Sequence, residues 1–283
     1  MPNQELNHFL MKVPQVTALF WICKIFATTF GETAGDAFSM SLNWGYLLSI
    51  FLFAAIFLVL VFFQIRSKQY QPVLYWATII ASTTVGTTLA DFVDRSLGIG
   101  YFAGSSLLLI LVLASLFIWY QSQGSIAPQN INSPRVELFY WITITFSQTL
   151  GTALGDWSAD SAGLGYVGGI FLFSALIIVI LMLYFFTSVS RTLLFWSAFV
   201  LTRPLGAVVG DFLDKPYAQG GLDLSWFGAS FVLLLCIAVC IYFSQKIQPN
   251  FAHYMKNITT SSQRKGCETT VCPLKRLSGF YFA

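Results

Sequence analysis

Along the chain, long apolar runs alternate with short polar stretches. Residues 44–65, 101–120, 166–186 and 226–243 contain no charged side chain. Each of these runs is long enough to cross about 30 Å of hydrocarbon as a helix. Four further runs, 16–38, 73–93, 138–157 and 193–213, are apolar with polar residues scattered through them. The pattern predicts an all-α integral membrane protein with eight transmembrane helices.

Composition strengthens that reading. Apolar residues make up 56% of the 283 positions and charged residues 10%, where a soluble domain carries roughly 25%. Mean hydropathy is +0.71. The N-terminus lacks a basic region and a small-residue cleavage site, so the first span is expected to act as its own insertion signal.

Lys12, Arg66, Lys68, Arg135, Arg191, Lys246, Lys256, Arg264, Lys265, Lys275 and Arg276 fall in the termini or in the loops after even-numbered spans. Only Arg95 and Lys215 fall in the opposite loops. The positive-inside rule then predicts two cytoplasmic termini. The net charge of +3 reads as a topology signal and not as a nucleic-acid patch. The organisation expected is a first half over 1–120, a cytoplasmic linker over 121–135, a second half over 136–243 and a polar cytoplasmic tail over 244–283.

The scattered polar residues are periodic. Trp21, Trp76, Trp141 and Trp196 each stand ten residues before a glycine: Gly31, Gly86, Gly151 and Gly206. Four positions later come Gly35, Ala90, Gly155 and Gly210, followed at once by Asp36, Asp91, Asp156 and Asp211. Another glycine follows nine residues on, at Gly45, Gly100, Gly165 and Gly220. The tryptophans are 55, 65 and 55 residues apart, as expected of a unit duplicated twice. Each unit holds two spans, so the four units insert in one orientation as parallel two-helix repeats.

Four tandem two-span units, each with a tryptophan and a GxxxGD-like segment, resemble a bacterial membrane repeat family of unknown function. The resemblance covers about residues 14–243 and implies a bacterial inner (plasma) membrane, but no chemistry. Ala90 departs from the motif and is still a small residue.

Small residues four apart let helices approach closely in lipid. Gly31, Gly35, Gly86, Gly151, Gly155, Gly206 and Gly210 are therefore expected to pack the odd-numbered spans against one another, with the even spans facing lipid. The aspartates are expected near the ends of their spans, where a helix macrodipole disfavours negative charge. They either cap the following loop or have a compensating partner.

Steps of four back from each aspartate stay close to one helix face. They give Glu32, Thr28 and Lys24 in the first unit, Thr87, Thr83 and Ile79 in the second, Thr152, Gln148 and Ile144 in the third, and Ala207, Arg203 and Phe199 in the fourth. Packed around one axis, these form three polar layers that close on an apolar fourth. Lys24 and Arg203 are the two bases within spans, with Glu32 and the aspartates as their candidate partners. Asp94, Asp160, Asp214 and Asp223 are expected in loops on the aspartate face, concentrating cations at its mouth.

An anion-rich interior of this kind suits a transporter of a small cation or a proton-coupled solute. Its ion or substrate path would comprise Asp36, Asp91, Asp156, Asp211, Glu32, Lys24, Arg203, Thr28, Thr83 and Gln148, and oxygen ligands would suit H⁺, Na⁺ or a hard divalent ion. One alternative is a carrier of a small anionic or zwitterionic solute clamped by Lys24 and Arg203. Another is a non-transporting scaffold or sensor with a structural salt-bridge network. Besides the lipid bilayer and a possible small cation or solute, no partner is implied. No cofactor is expected, nor an enzymatic activity: His8 and His253 both lie outside the spans, and no nucleophile or phosphate-binding motif occurs. Cys23, Cys236 and Cys240 read as apolar fillers, and the spacing of Cys267 and Cys272 carries little.

Overall fold

A computed structural model describes residues 12–42 and 44–264, with the side chains of 41 and 247–264 excepted. His8, Cys267 and Cys272 lie outside the described residues. The described chain is helical, with eight long helices. They are α1 (Ala18–Asp36), α2 (Gly45–Arg66), α3 (Pro72–Asp91), α4 (Tyr101–Gln123), α5 (Pro134–Asp156), α6 (Gly165–Phe186), α7 (Arg191–Asp214) and α8 (Trp226–Arg264).

Local sequence explains where several begin. Thr17 and Ser133 accept N-terminal amide hydrogens of α1 and α5 through their side chains, as capping hydroxyls do. Pro72 and Pro134 stand at first helical positions, where the missing N–H costs nothing. Gly124 ends α4 at φ +71°, a left-handed conformation that suits glycine.

Helices α1, α3, α5 and α7 form an inner ring, and α2, α4, α6 and α8 pack outside it. Each outer helix lies chiefly against the inner helix of the following unit: α2 on α3, α4 on α5 and α6 on α7, with α8 closing the circle on α1. The outer helices expose most of their large apolar side chains, among them Phe51, Phe102, Phe171 and Phe231. Helix α8 continues well beyond 243, into the stretch expected as a polar tail.

Among the described residues, six helices are long and apolar enough to cross a membrane: Gly45–Arg66, Pro72–Ser96, Tyr101–Gln123, Gly165–Phe186, Arg191–Asp214 and Trp226–Lys246. Helices α1 and α5 fall outside that group. The first carries Lys24, Glu32 and Asp36, the second Arg135, Glu137, Gln148 and Asp156. All of these but the exposed Arg135 are buried within the protein, so hydropathy along the chain understates how well each helix is shielded.

The inner ring closes through its glycines. A Cβ added to Gly31 would lie 2.5 Å from Thr83 Cβ, and one on Gly151 would lie 2.5 Å from Arg203 Cβ. At Gly206 it would lie 2.6 Å from Thr28 Cβ, and at Gly86 it would lie 2.9 Å from the backbone between Gln148 and Thr149. In each case the residue three before one unit's glycine rests on the glycine of the preceding unit, and the fourth unit returns to the first. A second tier repeats the scheme one turn on: Gly35 on Thr87, Gly155 on Ala207 and Gly210 on Glu32. Threonine hydroxyls reinforce the same steps, from Thr83 to the Ala27 carbonyl, Thr87 to Gly31 and Thr28 to Thr202, each at 3.4 Å.

Candidate functional site: an ion-paired polar column

The stripe residues line the inside of this ring, and the column they form has two unlike ends. At the tryptophan end it is aromatic. Trp76, Trp141 and Trp196 are joined through Tyr75, Tyr140 and Trp119 by edge-to-face contacts and one tilted contact, Tyr75 on Trp141, and the buried Tyr75 and Tyr140 hydroxyls meet at 2.6 Å. Ile79, Ile144 and Phe199, all fully buried, cover this collar from above. Lys24 shares their layer. Its ammonium lies 3.8 Å from the centre of the Phe199 ring and has no hydrogen-bond partner among the described residues. The structure therefore does not bring Lys24 to a carboxylate, since the layer of Thr28, Thr83, Gln148 and Arg203 lies between it and Glu32, the nearest acidic stripe position. Among the described residues, a cation over an aromatic face is its one compensation.

Arg203 is the hub of the middle layers. Its Nη1 lies 2.9 Å from Glu32 Oε2. Its Nη2 donates to Thr87 Oγ1 at 2.6 Å, Thr152 Oγ1 at 2.5 Å and the Thr83 carbonyl at 3.4 Å. Both threonine hydroxyls are also within reach of Glu32 Oε2, at 3.2 and 3.3 Å. One guanidinium thus joins all four inner helices. Gln148 is fully buried beside this hub, and its amide has no partner among the described residues.

The aspartates form the other end, and their setting departs from the sequence expectation. Each inner helix of the first three units continues past its aspartate as a π-helical turn: Ala37–Ser41, Phe92–Ser96 and Trp157–Ser161. In the fourth, α7 itself runs on to Asp214. The aspartates therefore sit a turn inside the helices and cap no loop. Asp94 and Asp214, expected in loops, are buried for the same reason; Asp160 also stands in a π-helical turn but is exposed, and Asp223 lies exposed in a loop as expected.

Compensation comes from the two bases that topology had set apart. Arg95 Nε lies 3.1 Å from Asp91 Oδ1 and its Nη2 lies 3.3 Å from Asp156 Oδ2. The Lys215 ammonium pairs with Asp36 and lies 3.3 Å from Asp211 Oδ1. Each base thus bridges its own unit's aspartate to that of a neighbouring inner helix, α3 to α5 and α7 to α1. Burial alone would lower the Lys215 pKa, but the carboxylates of Asp36, Asp211 and Asp214 outweigh it and raise it. A signal for this was present: only the even units read Asp91-Phe-Val-Asp94-Arg95 and Asp211-Phe-Leu-Asp214-Lys215, placing acid and base four apart on one helix face. Lys12 and Glu137, paired at 2.7 Å near the start of α5, are a further buried ion pair outside the column.

Two carboxylate groupings remain. Oxygens of Glu32, Asp156 and Asp211 lie within 4.8 Å of one another, as do those of Asp36, Asp211 and Asp214, and all five residues are buried.

An inner ring of parallel helices with a polar axis, sheathed by apolar helices, defines a membrane-type all-helical repeat protein. Its particular family follows from the units themselves. The chain belongs to the repeat family of unknown function DUF347, whose model matches residues 19–70, 74–125, 139–190 and 194–247. Each match covers one inner helix and the outer helix after it, while the tightest inner–outer packing joins successive units. No curated protein and no solved structure matches the chain.

Proposed function

We propose that the chain spans a bacterial inner membrane eight times, with both termini cytoplasmic, and transports a small cation or a proton-coupled solute along the axis of its inner ring. The observation that carries this reading is a charge imbalance. Seven buried carboxylates, Glu32, Asp36, Asp91, Asp94, Asp156, Asp211 and Asp214, stand against four bases, Lys24, Arg95, Arg203 and Lys215. Three negative charges are thus uncompensated in a buried setting, where an unpaired ion costs several kcal/mol. Bound cations or protons meet that cost, and a site that exchanges them is a step in transport. The aromatic collar at the other end of the column closes one side of the path, which suits a gated carrier better than an open channel.

Flux in proteoliposomes tests the reading. Replacing Asp36, Asp91, Asp156 and Asp211 with Asn should abolish cation-dependent or proton-dependent flux. Flux equal to wild type across Na⁺, divalent-cation and pH gradients would sink it.

A second reading, a non-transporting scaffold or sensor, is favoured by the bridging of all four aspartates by Arg95 and Lys215. It predicts that the same substitutions lower thermal stability while the wild-type protein moves no ion. A clamp for an anionic or zwitterionic solute has less support, because Arg203 is already engaged by Glu32 and two threonines.

A further inference from the structure

The two base-bridged aspartate pairs are related by the duplication of the halves, yet they are chemically unequal. Arg95 holds one pair with a rigid, permanently charged fork, and Lys215 holds the other with a compact ammonium on a flexible stem. Each pair has a further buried acid one residue before its base, Asp94 and Asp214, and Asp214 gathers with Asp36 and Asp211 around Lys215. Asp214 is buried, one of its carboxylate oxygens lies within 4.8 Å of an oxygen of Asp36 and of Asp211, and neither of its oxygens has a hydrogen-bond partner among the described residues. Asp36 Oδ1 is likewise buried and unpartnered. An acidic cluster alone would mean little. A buried carboxylate with neither oxygen partnered among the described residues, beside a cation already seated among the acids, is a separate observation that points to a ligand.

We propose that Asp36, Asp211 and Asp214 form a site for a hard divalent cation, and that the Lys215 ammonium occupies it when no metal is bound. The inference rests on the cation reading above and names the class of ion. Three oxygens no more than 4.8 Å apart lie within about 2.8 Å of a common centre, so a closing-in of a few tenths of an ångström brings all three to a metal–oxygen bond length of about 2.4 Å. All-oxygen carboxylate sites select Mn²⁺, Mg²⁺ or Ca²⁺ over softer metals. Three carboxylates against one ammonium leave two charges over, and a divalent ion entering while Lys215 leaves makes the group more nearly neutral. The Lys215 side chain is 10% exposed, and its ammonium has to swing outward from the buried bond to Asp36 for a metal to enter. The loop behind it holds the backbone still: the Asp223 amide donates to the Lys215 carbonyl at 2.9 Å, and a Cβ on Gly221 would overlap that carbonyl. The side chain alone has to move.

The test is Mn²⁺ binding to the purified full-length protein in detergent, read by calorimetry and by the loss of the free-ion electron paramagnetic resonance signal. Lys215→Met should bind Mn²⁺ at least tenfold more tightly than wild type, because the internal competitor is gone. Asp214→Asn should weaken binding at least tenfold in either background, and it removes no ion pair on which folding depends. Arg95→Met should give no gain. Equal Mn²⁺ affinity in wild type and Lys215→Met, or unchanged affinity in Asp214→Asn, overturns the site. The two proposals fail separately: Mn²⁺ binding with the expected mutant pattern but no flux of any ion sinks transport and keeps the site, whereas flux of a monovalent ion or protons without that pattern sinks the site alone.

Discussion

Arg203 and Glu32, 171 residues apart in sequence, meet at 2.9 Å on the axis of the inner ring with both side chains buried. Glu32 belongs to the first unit and Arg203 to the last, so this contact closes the circle of four. It also couples the charge of the column to the closure of the fold, because the Arg203 Cβ rests on Gly151 while the Glu32 Cβ rests on Gly210.

Breaking this pair on one side should be costly. Arg203→Gln leaves Glu32 buried with the Thr87 and Thr152 hydroxyls and with oxygens of Asp156 and Asp211 within 4.8 Å, and a buried pair deprived of one partner typically loses about 3–5 kcal/mol. Thermal unfolding in detergent, followed by size-exclusion recovery, should show a large loss for Arg203→Gln and a smaller one for Glu32→Gln plus Arg203→Gln. Additive losses in the double variant would mean that the two side chains do not act as a pair.

Lys24 should behave in the opposite way. Its buried ammonium meets only the Phe199 ring, and Met has similar length without the charge. Lys24→Met should leave thermal stability unchanged or raise it, by up to about 1–4 kcal/mol on the precedent of buried charges replaced by apolar side chains. A clear fall in melting temperature would show that Lys24 has a partner that its surroundings do not reveal.

The glycine contacts predict a steric gradient. Gly151→Ala puts a methyl group 2.5 Å from Arg203 Cβ, and overpacking of this kind costs about 1–3 kcal/mol. Ser106→Ala, at an exposed position on α4, should change stability little. Equal melting temperatures for the two variants would argue against close approach of α5 and α7.

Arg95→Lys tests the geometry of its bridge. The fork reaches Asp91 through Nε and Asp156 through Nη2, whereas a lysine offers one nitrogen on a shorter reach. Stability should fall measurably, and Arg95→Gln should fall further. Retention of wild-type stability by Arg95→Lys would reduce the bridge to simple charge balance.

Topology can be checked directly. With native cysteines removed, single cysteines at Ser67 and Ser125 should be labelled by an impermeant maleimide only from the cytoplasmic side. Those at Ala162 and Ala218 should be labelled only from outside. Labelling of all four from one side would exclude the eight-span arrangement.

Much of the frame was legible along the chain because it depends on local chemistry repeated four times. Apolar runs specify helices that need no water, and the tryptophan–glycine–aspartate spacing specifies one unit reused. The step of four also marks Glu32, Thr87, Thr152 and Arg203 as members of one face, because helix geometry alone puts them there. The partners of those residues were not legible. Lys24 and Arg203 look equivalent as bases within spans, yet one lies on an aromatic ring and the other on a carboxylate. The difference is one helical turn of depth and the identity of the facing helix. Arg95 and Lys215 look like exceptions to a charge rule until the inner helices run a turn past their aspartates and bring acid and base together. Hydrophobic patterning is a property of single helices, so the sequence could determine it alone. Charge compensation inside a ring of four depends on which units become neighbours and at what height, and only the closed tertiary structure decides that.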